Sequence, residues 1–236
     1  MNSPILLVHG AWHNGAGFSS LQNELKSLGI DSETVELSSV ARPGEPIGDM
    51  YQDAKIVRDA VSKYSDGVYV LGHSYGGLSI TEGLAGLSNV KGLIYLTAFM
   101  LDLGETLYAA CGNQDPEWWI RNPNGERLNA ARPEEIFYNT CSPELAKSAA
   151  VQLRDQSLLS FNQPIKNVAW KEIDSTYIIC EEDQAIPLFA QEAMSAKAKK
   201  VVRIHSDHSP FLSAPKVLDR KSTRLNSSHI TISYAV

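Results

Sequence analysis

Short apolar runs alternate with helix-patterned segments along this chain, and that alternation restricts its fold more than any other feature. "PILLV" (4–8), "GVYVLG" (67–72) and "KGLIYLTAF" (91–99) are short and β-prone, and "ETVEL" (33–37) alternates, so each predicts a strand. Between them lies "FSSLQNELKSLG" (18–29), with Phe18, Leu21, Leu25 and Leu28 at helical spacing and Gly29 as a stop. "MYQDAKIVRDAVSKY" (50–64) is amphipathic, and "LSITEGLAGL" (78–87) predicts a helix crowded with small residues. After residue 170 the pattern resumes with "STYIIC" (175–180) as strand, "LFAQEAMSAKA" (188–198) as helix and "KVVRIH" (200–205) as strand. "SPFLSAPKVL" (209–218) then begins a helix. About six strands alternating with helices predict an α/β fold, a parallel sheet covered on both faces with right-handed crossovers.

The alternation breaks between residues 102 and 170, a stretch rich in Pro, Asn, Glu and Trp. It offers short helices such as "SPELAKSAAVQL" (142–153) and no convincing strand. We read it as a helical lid inserted after the fourth strand, over the sheet edge where open α/β folds bind ligands. The expected organisation is a core of residues 1–101 and 171–218, a lid of 102–170, and a tail of 219–236. That tail, "DRKSTRLNSSHITISYAV", is rich in Ser and Thr and lacks a helical apolar stripe. It resembles the translation, in one frame, of a common sequencing-library adapter. The expectation is that it replaces natural sequence from near Leu218 and takes no part in the fold. Different codons in the source nucleotides would refute this.

With 236 residues the chain is one domain of ordinary size, able to bury a sizeable core. Its net charge of −6 argues against nucleic acid, and no basic cluster suggests a membrane surface. No apolar run approaches a membrane span. "MNSPILLVHG" lacks a positive region before its apolar run and reads as a strand, not a signal peptide. Cys111, Cys141 and Cys180 are odd in number and show no metal-like spacing. Reduced thiols in a cytoplasmic protein are the simplest reading. A homodimer is the oligomer to test for.

"GHSYGG" (72–77) fits the pattern G-x-S-x-G, with a predicted strand before it and a helix after it. On such a turn Ser74 stands exposed above the sheet, and Gly72 and Gly76 leave room for close helix–strand packing. A serine hydroxyl needs a base, and the base an orienting acid. In this arrangement the chain order is Ser, acid, His. His208, in "SDHSPF" past the last strand, is the candidate base, with His205 at the strand's end as the alternative. Asp183, in "CEEDQAIP", is the candidate acid, with Asp102 after the fourth strand as the alternative. Two backbone N–H groups must receive the oxyanion. Tyr75 follows the nucleophile, and Ala11 follows His9 and Gly10 on the loop after the first strand.

These residues resemble the α/β-hydrolase superfamily, and within it the small-ester esterases grouped with plant salicylate methyl esterases and hydroxynitrile lyases. "LVHGAWHNG", "GHSYGG", "YLTAFMLD", "TCSPE", "CEEDQAIP" and "DHSPFLS" carry the resemblance, which spans residues 4 to about 218. It implies the same triad, Ser74, Asp183 and His208, and the same donors, Ala11 and Tyr75. It also implies a longer final helix than "SPFLSAPKVL". The lyases typically place lysine directly after the catalytic histidine and threonine at the position of Gly10. This chain has Ser209 and Gly10, which favours ester hydrolysis.

Phe99, Met100, Trp118 and Trp119 are candidates to line an apolar pocket, and His13 to stand near its entrance. Each has the alternative of plain packing or a surface place. The leading expectation is a serine hydrolase for small-molecule carboxylic esters that needs no metal or cofactor. The alternatives are cyanohydrin cleavage, and ligand binding without turnover on the hydrolase scaffold.

Overall fold

The structure is a computed structural model that describes residues 3–215. The tail 219–236 and the end of the helix expected over 209–218 lie outside the described residues. The strands are β1 (Ile5–Val8), β2 (Ser32–Val35), β3 (Val40–Ala41), β4 (Val68–His73), β5 (Val90–Leu96), β6 (Trp119–Arg121), β7 (Arg127–Ala130), β8 (Asp155–Ser157), β9 (Ser175–Cys180) and β10 (Lys200–Ile204). The α-helices are α1 (Ser19–Ser27), α2 (Met50–Val61), α3 (Gly76–Gly83), α4 (Leu107–Ala110), α5 (Pro133–Phe137), α6 (Pro143–Ala150), α7 (Leu158–Asn162), α8 (Leu188–Ser195) and α9 (Pro210–Ser213).

Six strands form a parallel sheet in the order β10-β9-β5-β4-β1-β2. Neighbouring residues of β1 serve opposite faces, as the strand period requires. Ile5 and Leu7 join Phe18, Leu21 and Leu25 of the α1 side. Leu6 and Val8 join Val57, Val70 and Leu78 of the α2 and α3 side. With both faces buried, the strand reads as a continuous apolar run. The chain runs from β1 outward to β2, then crosses back to β4 on the other flank of β1. Strand order reverses between β1 and β4, so the crevice of this sheet opens above their C-terminal ends.

The segment after β5 lies over that crevice, and it is not purely helical. Besides α4 to α7 it holds β6, β7 and β8, which with β3 make a four-stranded antiparallel sheet in the order β3-β8-β7-β6. The expectation of a lid without strands is corrected here. "WIR", "RLNA" and "DQS" are too short for a period of two to show, and their pairing comes from tertiary context. The cap is tied to the loop after β1: Trp12 Nε1–H donates to Leu128 O (2.9 Å), and Arg154 N–H donates to Trp12 O (2.9 Å). Among the described residues no helix is long and apolar enough to cross a membrane.

Candidate active site

Ser74 occupies the turn between β4 and α3 with φ of 53°. A side chain rarely adopts that conformation, so the surroundings must impose it. They do: Ser74 N–H donates to Leu96 O (3.2 Å), and Ser74 O accepts from Gly77 N–H (3.0 Å) and Phe99 N–H (3.1 Å). The glycine at 76 is sterically required, because a Cβ there would stand 2.7 Å from the carbonyl oxygens of both Val8 and His9. Helix α3 therefore lies directly against the end of β1, with its N-terminus beside Ser74.

His208 and Asp183 come from the loops after β10 and β9. His208 Nδ1–H donates to Asp183 Oδ2 (2.7 Å), and both side chains are almost wholly buried. Asp183 Oδ2 also accepts the Thr97 hydroxyl (2.5 Å), while Oδ1 accepts the N–H groups of Ala185 (2.7 Å) and Ile186 (3.0 Å). With the longer bond from Gln191 Nε2–H to Oδ2 (3.5 Å), five donors fix the carboxylate. The backbone of the histidine is held too, since His73 Nε2–H donates to His208 O (2.8 Å). The neighbouring Asp207, fully buried, accepts from Ser209 N–H (3.0 Å), Ser213 Oγ–H (2.7 Å) and the cap's Thr140 N–H (3.1 Å). The two alternatives lie elsewhere. The His205 side chain is 86% exposed and faces Glu181 (2.9 Å), and Asp102 pairs with Lys171 (2.6 Å) at the surface.

Ser74, His208, Ala11 and Tyr75 line one cavity. Among the described residues the backbone N–H groups of Ala11 and Tyr75 donate to no protein acceptor. Both residues are buried, and buried N–H groups without partners are rare enough to need a reason. Aromatic side chains wall the cavity: Phe99, Trp118 and Trp119, and also Trp12, Phe137 and Phe161. Trp12 packs against Trp118 at 5.3 Å and Phe161 at 5.8 Å, and the Phe137 ring lies tilted beside His208 at 5.5 Å. The cavity holds about 350 Å³ of space, part of it open to solvent.

Two anticipated lining residues are not on it. Met100 is fully buried in the core, because the chain turns inward after Phe99. His13 borders a separate hollow with Tyr138 and Leu212. Its Nδ1–H donates to Ala11 O (2.7 Å) and its Nε2 accepts the Tyr138 hydroxyl (3.1 Å). Burial, with nearby His208 and His9, lowers its pKa to about 3, so the ring is neutral. Burial also pushes the thiols of Cys111 and Cys141 up, to about 11 and about 12, which leaves them protonated.

A sequence profile described as the alpha/beta hydrolase family matches residues 5–220. The chain belongs to this family. The hydrolase is 31% identical to the alpha/beta hydrolase nvfD of Aspergillus novofumigatus, over 92% of this chain and 93% of that protein. It is 26% identical to salicylic acid-binding protein 2 of Nicotiana tabacum, over 77% of this chain and 80% of that one. Among solved structures it resembles that of a pyrethroid hydrolase with a TM-score of 0.82, at 26% identity, covering 94% of this chain and 97% of the other. The hydrolase is thus related to the plant esterase group whose motifs it resembles.

Proposed function

We propose that this hydrolase is a serine esterase that cleaves small-molecule carboxylic esters through an acyl-enzyme, without a cofactor. The observation that carries the reading is the convergence of four elements on one cavity: the strained Ser74, His208 bonded to buried Asp183, and two unspent N–H groups. Ser74 Oγ attacks the ester carbonyl while His208 Nε2 takes its proton. The oxyanion formed is received by the N–H groups of Ala11 and Tyr75. The C–O bond to the alcohol then breaks, and His208 returns the proton to the leaving oxygen. Water repeats the sequence on the acyl-enzyme, releasing acid and free Ser74. Asp183 holds the imidazole in the tautomer this requires and stabilises the imidazolium.

Aromatic walls favour apolar or planar groups on the ester, and the name of the pyrethroid hydrolase agrees with an ester of that kind. The cyanohydrin reading is disfavoured at Gly10 as well as at Ser209. A Cβ at position 10 would stand 2.8 Å from Ser74 Cβ and 2.9 Å from His73 Nδ1, which leaves no room for a threonine. Three free cysteines support a reducing, cytoplasmic setting.

The test is covalent labelling by a fluorophosphonate, read by intact mass, with Ser74→Ala as control. One adduct in the parent and none in the variant is the expected result. Adducts in both place the reactive serine elsewhere. A folded parent that stays unlabelled favours ligand binding without turnover.

A further inference from the structure

The N–H of Ala11 belongs to the Gly10–Ala11 peptide, and the carbonyl of that peptide is firmly gripped. Gly10 O accepts the Nδ1–H of His9 (2.9 Å) and, less closely, the backbone N–H of His13 (3.3 Å). The tautomer of His9 follows from its other nitrogen. Nε2 accepts the backbone N–H of Leu37 (3.0 Å), so the ring proton sits on Nδ1. Burial lowers the pKa of His9 against the opposing pull of Glu36 and Asp53, with Arg154 adding to the lowering. A doubly protonated ring would set one N–H against the N–H of Leu37. His9 is 1% exposed and does not line the cavity, so it cannot touch a substrate there.

A trans peptide is planar, and its C=O and N–H point in opposite directions. A group that fixes the carbonyl therefore fixes the direction of the N–H across the plane. A carbonyl that accepts hydrogen bonds also polarises its amide, which makes the N–H a better donor. His13 grips the next carbonyl along, Ala11 O, but the N–H of that peptide, on Trp12, turns to Gln156 Oε1 (3.4 Å) instead of the cavity. Of the two imidazoles on this loop, His9 is the one coupled to the free donor.

We infer that His9 is a positioning residue for the reaction, a neutral imidazole that aims and polarises the Ala11 N–H through the Gly10 carbonyl. The inference rests on the esterase reading above. The competing role is purely structural: His9 would only tie the loop after β1 to Leu37.

Two variants of the full chain separate these roles. In His9→Asn the amide nitrogen stands near the place of Nδ1, keeps a donor for Gly10 O and abandons Leu37. In His9→Gln the amide oxygen reaches the place of Nε2, keeps an acceptor for Leu37 and abandons Gly10 O. The readouts are the rate of Ser74 labelling by a fluorophosphonate, whose attack also develops an oxyanion, and the melting temperature. We expect the Gln variant to melt like the parent yet label about tenfold to a hundredfold more slowly, less than the loss of a whole oxyanion donor. The Asn variant should label close to the parental rate even where it melts lower. A Gln variant that labels as fast as the parent overturns the inference and leaves the esterase reading standing. So do two variants whose rates simply follow their melting temperatures. A folded parent that takes up no label overturns the esterase reading, and this inference with it.

Discussion

Asp183 shows how far a single side chain can be committed. Its two oxygens receive His208 Nδ1–H, the Thr97 hydroxyl and the N–H groups of Ala185 and Ile186. An asparagine offers one acceptor oxygen and one donor nitrogen. Turned one way, its NH₂ meets the His208 N–H and forces the other tautomer; turned the other way, it meets two backbone donors. Asp183→Asn should therefore keep the fold and lose roughly a thousandfold to ten-thousandfold in kcat for a p-nitrophenyl ester, the scale seen when a triad acid is replaced. A loss under tenfold would remove Asp183 from the mechanism. At Gly10 the constraint is space. Gly10→Ala drives a Cβ toward Ser74 Cβ and His73 Nδ1, so labelling of Ser74 should fall while circular dichroism stays parental. At this scale the sequence was informative where chemistry dictates residue type and chain order. Ser74, Asp183 and His208 could be picked out that way, and the geometry then separates His208 from surface-exposed His205. Thr97 and His73 were not legible, because nothing in a lone threonine or histidine announces a bond to a residue about a hundred positions away.

At the scale of elements, the turn at Ser74 depends on how closely α3 approaches β1. Gly76→Ala would press a Cβ into two backbone carbonyls that cannot rotate aside, an overpacking that costs about 1–3 kcal/mol or more. Urea denaturation should show it as a lower midpoint, and an unchanged midpoint would mean that the elbow is slack. The cap supplies much of the cavity's lining. Trp118 is half-buried, makes ring contacts with Trp12 and Phe137, and lines the cavity that holds Ser74. Trp118→Ala should raise kcat/KM for bulky aryl esters relative to acetate esters. A parallel change for both would place the wall elsewhere. The strands and helices of the core were legible because burial on both faces writes continuous apolar runs and amphipathic helices into the sequence. The antiparallel sheet of the cap was not, since three- and four-residue strands are specified by partners and not by their own pattern.

The whole molecule carries a pH dependence through histidines it holds away from water. Burial lowers the pKa of His9, His13 and His73, the second to about 3. Unfolding returns each ring to water, where it takes up a proton below a pH of roughly 6.5. The unfolded chain then binds more protons than the folded one, so stability is complete above that pH and declines as the pH falls toward the folded value. For each such histidine the decline is about 1.4 kcal/mol per pH unit. Burial pushes the carboxyl of Asp53 up, which works in the opposite sense, so a difference between variants is a cleaner readout than the parental slope. His13→Asn keeps an amide donor near Ala11 O and removes one titrating ring. Its free energy of unfolding in urea should fall less steeply than the parent's between pH 6.5 and pH 4.5, by about 1.4 kcal/mol per unit. Equal slopes would mean that His13 is already protonated in the folded protein, and that its ring does not accept the Tyr138 hydroxyl as the geometry requires.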